Sequence, residues 1–318
     1  MTKSMTVGVD IGGTKVAAGL VDASGAISSK VRVPMVATAD AATGFAAVRG
    51  AVEAVFAEDP QARARVTGIG ICSPGPLDPK TGVVLNPPNV PCWRNYPLAA
   101  ETEQAFGVPV RVDNDANAAG LAEVLWGAGA GYANVFYATL GTGIGTGIVF
   151  DRRIYHGRTG LAAEGGHMTI DYNGPRCGCG KRGCIEALCS GPAIAMRARD
   201  ELAGNGSSRV IELAGGDVRQ VRAEDVGQAY REGDRLATQV LEETAHLLAI
   251  WLGNIVDLLE PDVMVVGGGV AELMSCFFPR IVAELPAWSI NPRAAEVPLV
   301  KARYGADAGI AGAAALGF

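Results

Sequence analysis

The stretch from Glu164 to Glu186 constrains this chain more than any other. It reads Glu-Gly-Gly-His-Met-Thr-Ile-Asp-Tyr-Asn-Gly-Pro-Arg-Cys-Gly-Cys-Gly-Lys-Arg-Gly-Cys-Ile-Glu. Cys177, Cys179, Cys184 and His167 crowd together here, although the whole chain has only seven cysteines and three histidines. Four nitrogen and sulfur ligands at short spacing suit a closed tetrahedral Zn2+ site, which is structural because no position stays open for a catalytic water. A loop of free thiols is the alternative. Glycine and proline between the ligands let the backbone fold back on itself. A knot that fixes His167 also fixes the carboxylates at its two ends, Glu164 and Glu186. Rigid acceptors at fixed separation suit a polyol, so a sugar pocket is expected beside the metal.

A length of 318 residues favours two domains with sizeable cores. The net charge of −6 argues against a nucleic-acid surface, which needs a basic patch. An anionic nucleotide would then be bound by local backbone donors and a metal. Met1 to Met5 has no apolar core of the kind a signal peptide carries, and no apolar run reaches spanning length, so no membrane role is expected. Cys72, Cys92, Cys189 and Cys276 are scattered without a framework, which suits a reducing cytoplasm.

Taken in order, Thr6–Asp10 is an apolar strand running into Ile-Gly-Gly-Thr-Lys, after which Val16–Val21 and Ala26–Val33 are again strand-like. This is a hairpin and not the strand, turn and helix of a Walker loop. Gly12 and Gly13 permit close backbone approach, Thr14 offers a hydroxyl, Lys15 a charge, and Asp10 can hold a divalent cation through water. A helix is expected over 39–58 and a buried strand over Val66–Cys72, followed by a turn containing Gly75. The proline-stiffened loop from Asn86 to Trp93 suits a pocket rim, with Gly75 and Asn89 as substrate contacts. Asn134–Leu140 leads into Gly141-Thr142-Gly143-Ile-Gly-Thr-Gly147 and then Ile148–Phe150, a second strand, glycine turn and strand. Two such hairpins point to a duplicated architecture that binds phosphates with N–H donors.

Between a strand at Val108–Val112 and a helix at Ala118–Trp126 lies Asp113-Asn114-Asp115-Ala116-Asn117. Asp113 or Asn117 can serve as the N-cap. A further carboxylate beside amides exceeds capping needs, which makes Asp115 the general-base candidate and Asn114 its partner on a substrate hydroxyl. Gly204–Ser208 reads as a polar loop, 224–232 as a short helix and Thr238–Leu259 as a long one, with His246 packed in the core. Asp262–Val266 is a strand ending at Gly267-Gly268-Gly269 before a helix, a place for a flat ring or a phosphate. A last strand at Leu299–Ala302 precedes a small-residue helix, Ala306–Leu316, able to pack close to a sheet. The Gly-x-Gly-x-x-Gly at Gly178–Gly183 has no strand before it and is not a dinucleotide fingerprint.

Together, Asp10-Ile-Gly-Gly-Thr-Lys15, Asn114-Asp115-Ala-Asn117, Leu140-Gly-Thr-Gly143, Glu164-x-x-His167 and the Cys177–Glu186 block resemble the ROK family of sugar kinases and repressors. The likeness runs through Gly267–Gly269 and covers almost the whole chain. It implies an actin-like (ribonuclease H-like) two-domain α/β ATPase fold with an interdomain cleft. The smaller domain would hold 1–117 plus 304–318, and the larger 118–303 with the zinc loop. The resemblance makes Asp115 the catalytic base and gives sugar hydroxyls to Asn114, Glu164, His167 and Glu186. It makes His167 also a zinc ligand with Cys177, Cys179 and Cys184, places phosphates against Gly13, Thr14, Gly141 and Thr142, and sets adenosine against Gly267–Gly269. Asp10, Gly12, Lys15 and Gly143 complete the nucleotide contacts. One departure is Gly165, where many family glucokinases carry a bulky apolar residue.

The implied reaction is transfer of the ATP γ-phosphoryl, with Mg2+, to a hexose, with glucose O6 as the expected acceptor and glycolysis as the context. Mannose, fructose or N-acetylmannosamine are rival acceptors, and polyphosphate a rival donor. Family members are commonly homodimers or homotetramers. A sugar-responsive repressor is the other reading, but nine residues before Asp10 are too few for a helix-turn-helix.

Overall fold

The computed structural model describes residues 4–38, 40–205 and 208–318. The first strands follow the sequence pattern: β1 (Met5–Ile11), β2 (Lys15–Asp22) and β3 (Ile27–Pro34) form a meander, then α1 (Ala41–Glu58) begins behind Asp40, whose side chain accepts from Thr43 N–H. Ala39, the expected first residue of this helix, lies outside the described residues. Next come β4 (Val66–Ser73), the small pair β5 (Leu77–Asp78) and β6 (Val83–Val84), α2 (Leu98–Phe106), β7 (Val110–Asn114) and α3 (Asp115–Trp126). They are followed by β8 (Asn134–Leu140), β9 (Ile144–Phe150) and β10 (Arg153–Ile154). The remainder is largely helical: α4 (Ile185–Cys189), α5 (Gly191–Asn205), α6 (Arg209–Leu213), α7 (Ala223–Arg231) and α8 (Arg235–Leu259). Then come β11 (Val263–Gly267), α9 (Gly269–Met274), α10 (Phe278–Glu284), β12 (Leu299–Lys301) and α11 (Ala308–Leu316).

Two five-stranded sheets have the same plan, β3-β2-β1-β4-β7 and β10-β9-β8-β11-β12. In the first, β2 pairs antiparallel with β1 and β3, while β4 pairs parallel with β1 and β7. The echo between the two glycine hairpins is therefore an echo of whole sheets.

The chain divides into two compact units. The first holds 1–137, 147–163 and 302–318, and the second 138–146 and 164–301. The first unit thus includes 118–137, 147–163 and 302–303, segments that the expected boundaries at 117/118 and 303/304 leave to the second domain.

In the first unit α1 and α2 cover one face of the sheet, burying Val48, Val52, Val55 and Leu98 against Val9, Ile69 and Ile71. On the other face α11 meets β1, β4 and α3. Its small residues permit an unusually close approach. A Cβ on Gly70 would lie 1.6 Å from the Ala313 carbonyl oxygen, and one on Gly8 2.1 Å from that of Ile310. The second unit is organised by α8, which buries Leu241, Leu248, Trp251 and Leu252 and packs against α4, α5, α7 and α10.

Several expected bounds move, among them α8, which starts at Arg235 and not Thr238, and α11, which starts at Ala308 and not Ala306. The helix expected from Ala118 starts at Asp115, because Asn114 caps it. The glycine turn expected over Gly141–Gly147 is shorter, since strand pairing already begins at Ile144. Of the expected loop at Gly204–Ser208, Gly204 and Asn205 end α5 and Ser208 caps α6, while Gly206 and Ser207 lie outside the described residues.

Candidate active site

In the first unit, parallel pairing puts the carboxyl ends of β1, β4 and β7 side by side, with Asp10 opposite Cys72 and Cys72 opposite Asp113. This is where open α/β sheets place their ligands. Burial raises the Asp10 carboxyl above its ordinary value, opposed by a hydrogen bond from Cys72 Sγ (3.4 Å to Oδ1) and by the charge of Lys15. The Cys72 thiol is itself buried and pushed well up, first by desolvation and then by Asp10 and Asp115. Gly12 N–H donates to the Lys15 carbonyl (2.9 Å), closing the turn that leaves Thr14 and Lys15 exposed. A Cβ on Gly13 would lie 2.8 Å from the Asn89 carbonyl oxygen, so the turn and the pocket-rim loop touch.

The run Asp113–Asn117 separates its roles cleanly. Asn114, and not Asp113 or Asn117, is the N-cap: its Oδ1 accepts from Ala116 N–H (2.9 Å) and Asn117 N–H (3.4 Å). That commits the oxygen and leaves Nδ2 to face Gly75, whose Cβ position is 3.9 Å away. Asp113, the last but one residue of β7, is buried. It accepts from Asn114 N–H (2.7 Å) and Asn117 Nδ2 (3.1 Å), and its Oδ2 lies 2.6 Å from His156 Nε2. Asp115 is exposed at the first position of α3, where a helix N-terminus favours negative charge, and its Oδ1 accepts from Ala116 N–H (2.8 Å). His156 was not singled out in the sequence. Its only signal there is that it is one of three histidines.

In the second unit the ligating atoms of His167, Cys177, Cys179 and Cys184 all lie within 4.8 Å of one another. The Cys179 and Cys184 sulfurs are 3.6 Å apart, and Cys177 Sγ is 3.6 Å from His167 Nδ1. Tetrahedral zinc with bonds of about 2.3 Å to sulfur would hold its sulfurs about 3.8 Å apart, so the four groups fit that ion. The loop turns through Gly180, whose N–H donates to the Cys177 carbonyl, and through Gly183, where φ is +60° and a Cβ would strike the Asp171 carbonyl at 1.5 Å. Burial raises the Cys177 and Cys184 thiols, whereas the Lys181 backbone N–H lowers that of exposed Cys179. With His167 Nδ1 turned to the cluster, Nε2 is the nitrogen left for other partners. Glu164 is exposed and accepts the His167 N–H at its carbonyl (3.0 Å). Glu186 is less open than expected, since its Oε2 accepts from Ile144 N–H (2.9 Å) and its Oε1 is 3.8 Å from His167 Nδ1.

The second unit also contains a cavity of about 820 Å³, lined by Gly141, Thr142, Gly191, Arg199, Gly269 and Val270 among others. Its size suits a small-molecule ligand. Of the expected glycines, Gly141 and Gly269 line it. Gly267 ends β11, Gly268 packs at φ +93° against the Leu140 carbonyl oxygen, and Gly143 lies under the Glu186 carboxylate. Sequence reasoning missed the α5 side of this cavity, although Gly191-Pro192 is a sound helix-start signal. There Gly191 N–H donates to the Gly141 carbonyl (2.8 Å). His246 is not a core residue: its side chain is 44% exposed, and it pairs with Glu284 and meets Trp288 edge-on.

The family model described as the ROK family matches residues 6–317. A glucokinase from Thermotoga maritima is 34% identical over 99% of this chain and 98% of its own length. An N-acetylmannosamine kinase from Shigella boydii is 34% identical over 98% and 97%. Among solved structures, a ROK family glucokinase from Streptomyces griseus, in complex with glucose and AMPPNP, matches with a TM-score of 0.81. It is 35% identical and covered to 98% on both chains. The duplicated sheets are those of the actin-like α/β fold, and the chain belongs to the ROK family.

Proposed function

We propose that this chain is an ATP-dependent glucokinase that transfers the γ-phosphoryl of ATP to the 6-hydroxyl of glucose. The observation that carries the reading is Asp115, an exposed carboxylate fixed at the first turn of α3 beside the Asn114 amide. Phosphoryl transfer needs chiefly positioning and charge stabilisation, together with a group to accept the hydroxyl proton. Asp115 accepts that proton, and Asn114 Nδ2 donates to a neighbouring hydroxyl. Glu164, His167 Nε2 and Glu186 bind further hydroxyls, as do Gly75 and Asn89 through backbone or amide. The cavity of the second unit takes the nucleotide, with Gly141 and Thr142 toward the phosphates and Gly269 toward adenosine. The Gly12–Lys15 turn supplies N–H groups and charge, and Asp10 would hold Mg2+, which would offset the charge of the phosphates.

His167, Cys177, Cys179 and Cys184 would hold Zn2+, which supplies rigidity to the loop and no reacting group. The boundaries at 117/118 and 303/304 remain our reading of the catalytic domains. The enzyme is expected to act in the cytoplasm as a homodimer or homotetramer, without nucleic-acid or membrane partners. Among the described residues no helix is long and apolar enough to cross a membrane.

A second acceptor is favoured by one observation, the N-acetylmannosamine kinase that is as similar as the glucokinase. The direct test is product identification. Glucose with Mg-ATP should yield glucose 6-phosphate, and Asp115→Asn should lower kcat by about 10²–10⁴-fold with an unchanged circular dichroism spectrum. Near-normal turnover of the variant would remove Asp115 from the role of base.

A further inference from the structure

Two glycines of the His/Cys loop meet the β8–β9 hairpin with no room for a side chain. A Cβ on Gly165 would lie 2.9 Å from Thr146 Oγ1 and 3.2 Å from its Cγ2, and one on Gly166 would lie 1.9 Å from the Ile144 carbonyl oxygen. The contact is also bonded. Gly165 N–H donates to the hydroxyl oxygen of buried Thr146 (2.8 Å), and Ile144 N–H donates to Glu186 Oε2 (2.9 Å). One bond therefore lies two residues before His167, and the other two residues after Cys184. Beyond Ile144 the same hairpin carries Gly141 and Thr142, which line the cavity, and Gly141 is tied onward to the start of α5.

We propose that Thr146 is a positioning residue through which the His/Cys loop sets the shape of the donor-binding turn, so that metal occupancy and nucleotide affinity are linked. The inference rests on the kinase reading above. The physical basis is the freedom of Gly165-Gly166. Glycine restrains a backbone least, so the position of the Gly165 N–H depends on whether His167 is held. Likewise Glu186 is held when Cys184 is. Removing the metal loosens both grips on Ile144–Thr146, and ordering that segment again is then charged to nucleotide binding. Linkage makes the effect reciprocal: bound nucleotide must retain the metal by the same factor.

Calorimetric titration with AMPPNP and Mg2+ tests this on three proteins, the wild type, Thr146→Val and Thr146→Ser. Each is measured zinc-loaded and after chelation, dialysis and restoration of Mg2+. Stripping should weaken binding to the wild type by about tenfold, within the usual 5–150-fold range of coupling. Thr146→Val, which keeps the shape but loses the acceptor, should bind about threefold more weakly when loaded and lose less than about threefold on stripping. Thr146→Ser keeps the acceptor and should follow the wild type. Equal affinity of loaded and stripped wild type, or equal stripping effects in wild type and Thr146→Val, would overturn the proposal. If circular dichroism shows that the stripped chain unfolds, the loaded proteins decide, and equal affinity of the Val and Ser variants overturns it. Failure of the kinase reading looks different: the loaded wild type would neither bind the analogue nor phosphorylate a sugar.

Discussion

Asp113 and Asp115 are two positions apart and live in opposite environments. The first lies buried near the end of β7 and holds Asn114, Asn117 and His156, while the second stands exposed on the first turn of a helix. Asp113→Ala should therefore cost about 2–4 kcal/mol of stability, because it leaves buried donors unpaired. Asp115→Ala should cost less than about 1 kcal/mol, as exposed substitutions do, while reducing activity. Urea denaturation of the two variants checks the contrast, and equal losses would contradict it. From sequence the acids and amides were legible as a cluster. Which of them caps the helix was not, because that depends on where β7 ends, and its pairing with β4 carries it to Asn114. His156 was illegible for a related reason, since it lies in a loop and its partner Asp113 is distant in sequence, on β7.

Asp10 gives a pH prediction at the same scale. Burial, the dominant cause, raises its carboxyl above 3.8, so the native state holds the proton more tightly than the unfolded chain. The stability this gives is complete below 3.8 and is lost as pH rises through the raised native value. Holding a cation requires the opposite form. The acid limb of kcat/KM should thus lie above the ordinary aspartate range, and Cys72→Ala, which removes the larger of the two opposing effects, should move it higher still. A limb that stays in place or moves down in the variant would contradict the assignment of Asp10.

Among the elements, α11 shows how composition can announce packing. Its run of alanine and glycine was readable as a helix able to approach a sheet closely, and it does so over Gly8 and Gly70. Gly70→Ala would place a Cβ 1.6 Å from a backbone oxygen, so the strand or the helix must shift. We expect a loss of about 3 kcal/mol or more, at the upper end of overpacking costs, measurable as a lower denaturation midpoint. Unchanged stability would mean that α11 yields more easily than its burial implies. Other elements were harder to read. In β9 the sequence Ile144-Gly-Thr-Gly looks like turn, because glycine carries no strand preference, and only pairing within the sheet makes it strand. Helix α5 has a mixed, charged sequence whose apolar side, Ala193, Ile194, Ala198 and Leu202, is specified by the helices it packs on. The His/Cys loop was the most legible element, since its ligands are close in sequence. Elemental analysis should find about one zinc per chain, and Cys179→Ala should lose it. Full metal content in that variant would contradict the ligand set.

For the whole molecule, the duplicated sheet order and the family assignment agree on an actin-like fold built from two compact units. In the proposed reaction the first would supply the base for the acceptor, while the second holds the cavity proposed for the donor and the His/Cys cluster. The acceptor's identity was the least legible property, because epimeric hexoses differ only in the direction of one hydroxyl. The most direct measurement is an initial-rate panel of glucose, mannose, fructose and N-acetylmannosamine with Mg-ATP, followed by coupled detection of ADP. Glucose should give the highest kcat/KM, and Asp115→Asn should lose that rate. ADP release that no sugar stimulates, or a rate with N-acetylmannosamine exceeding that with glucose, would contradict the glucokinase reading.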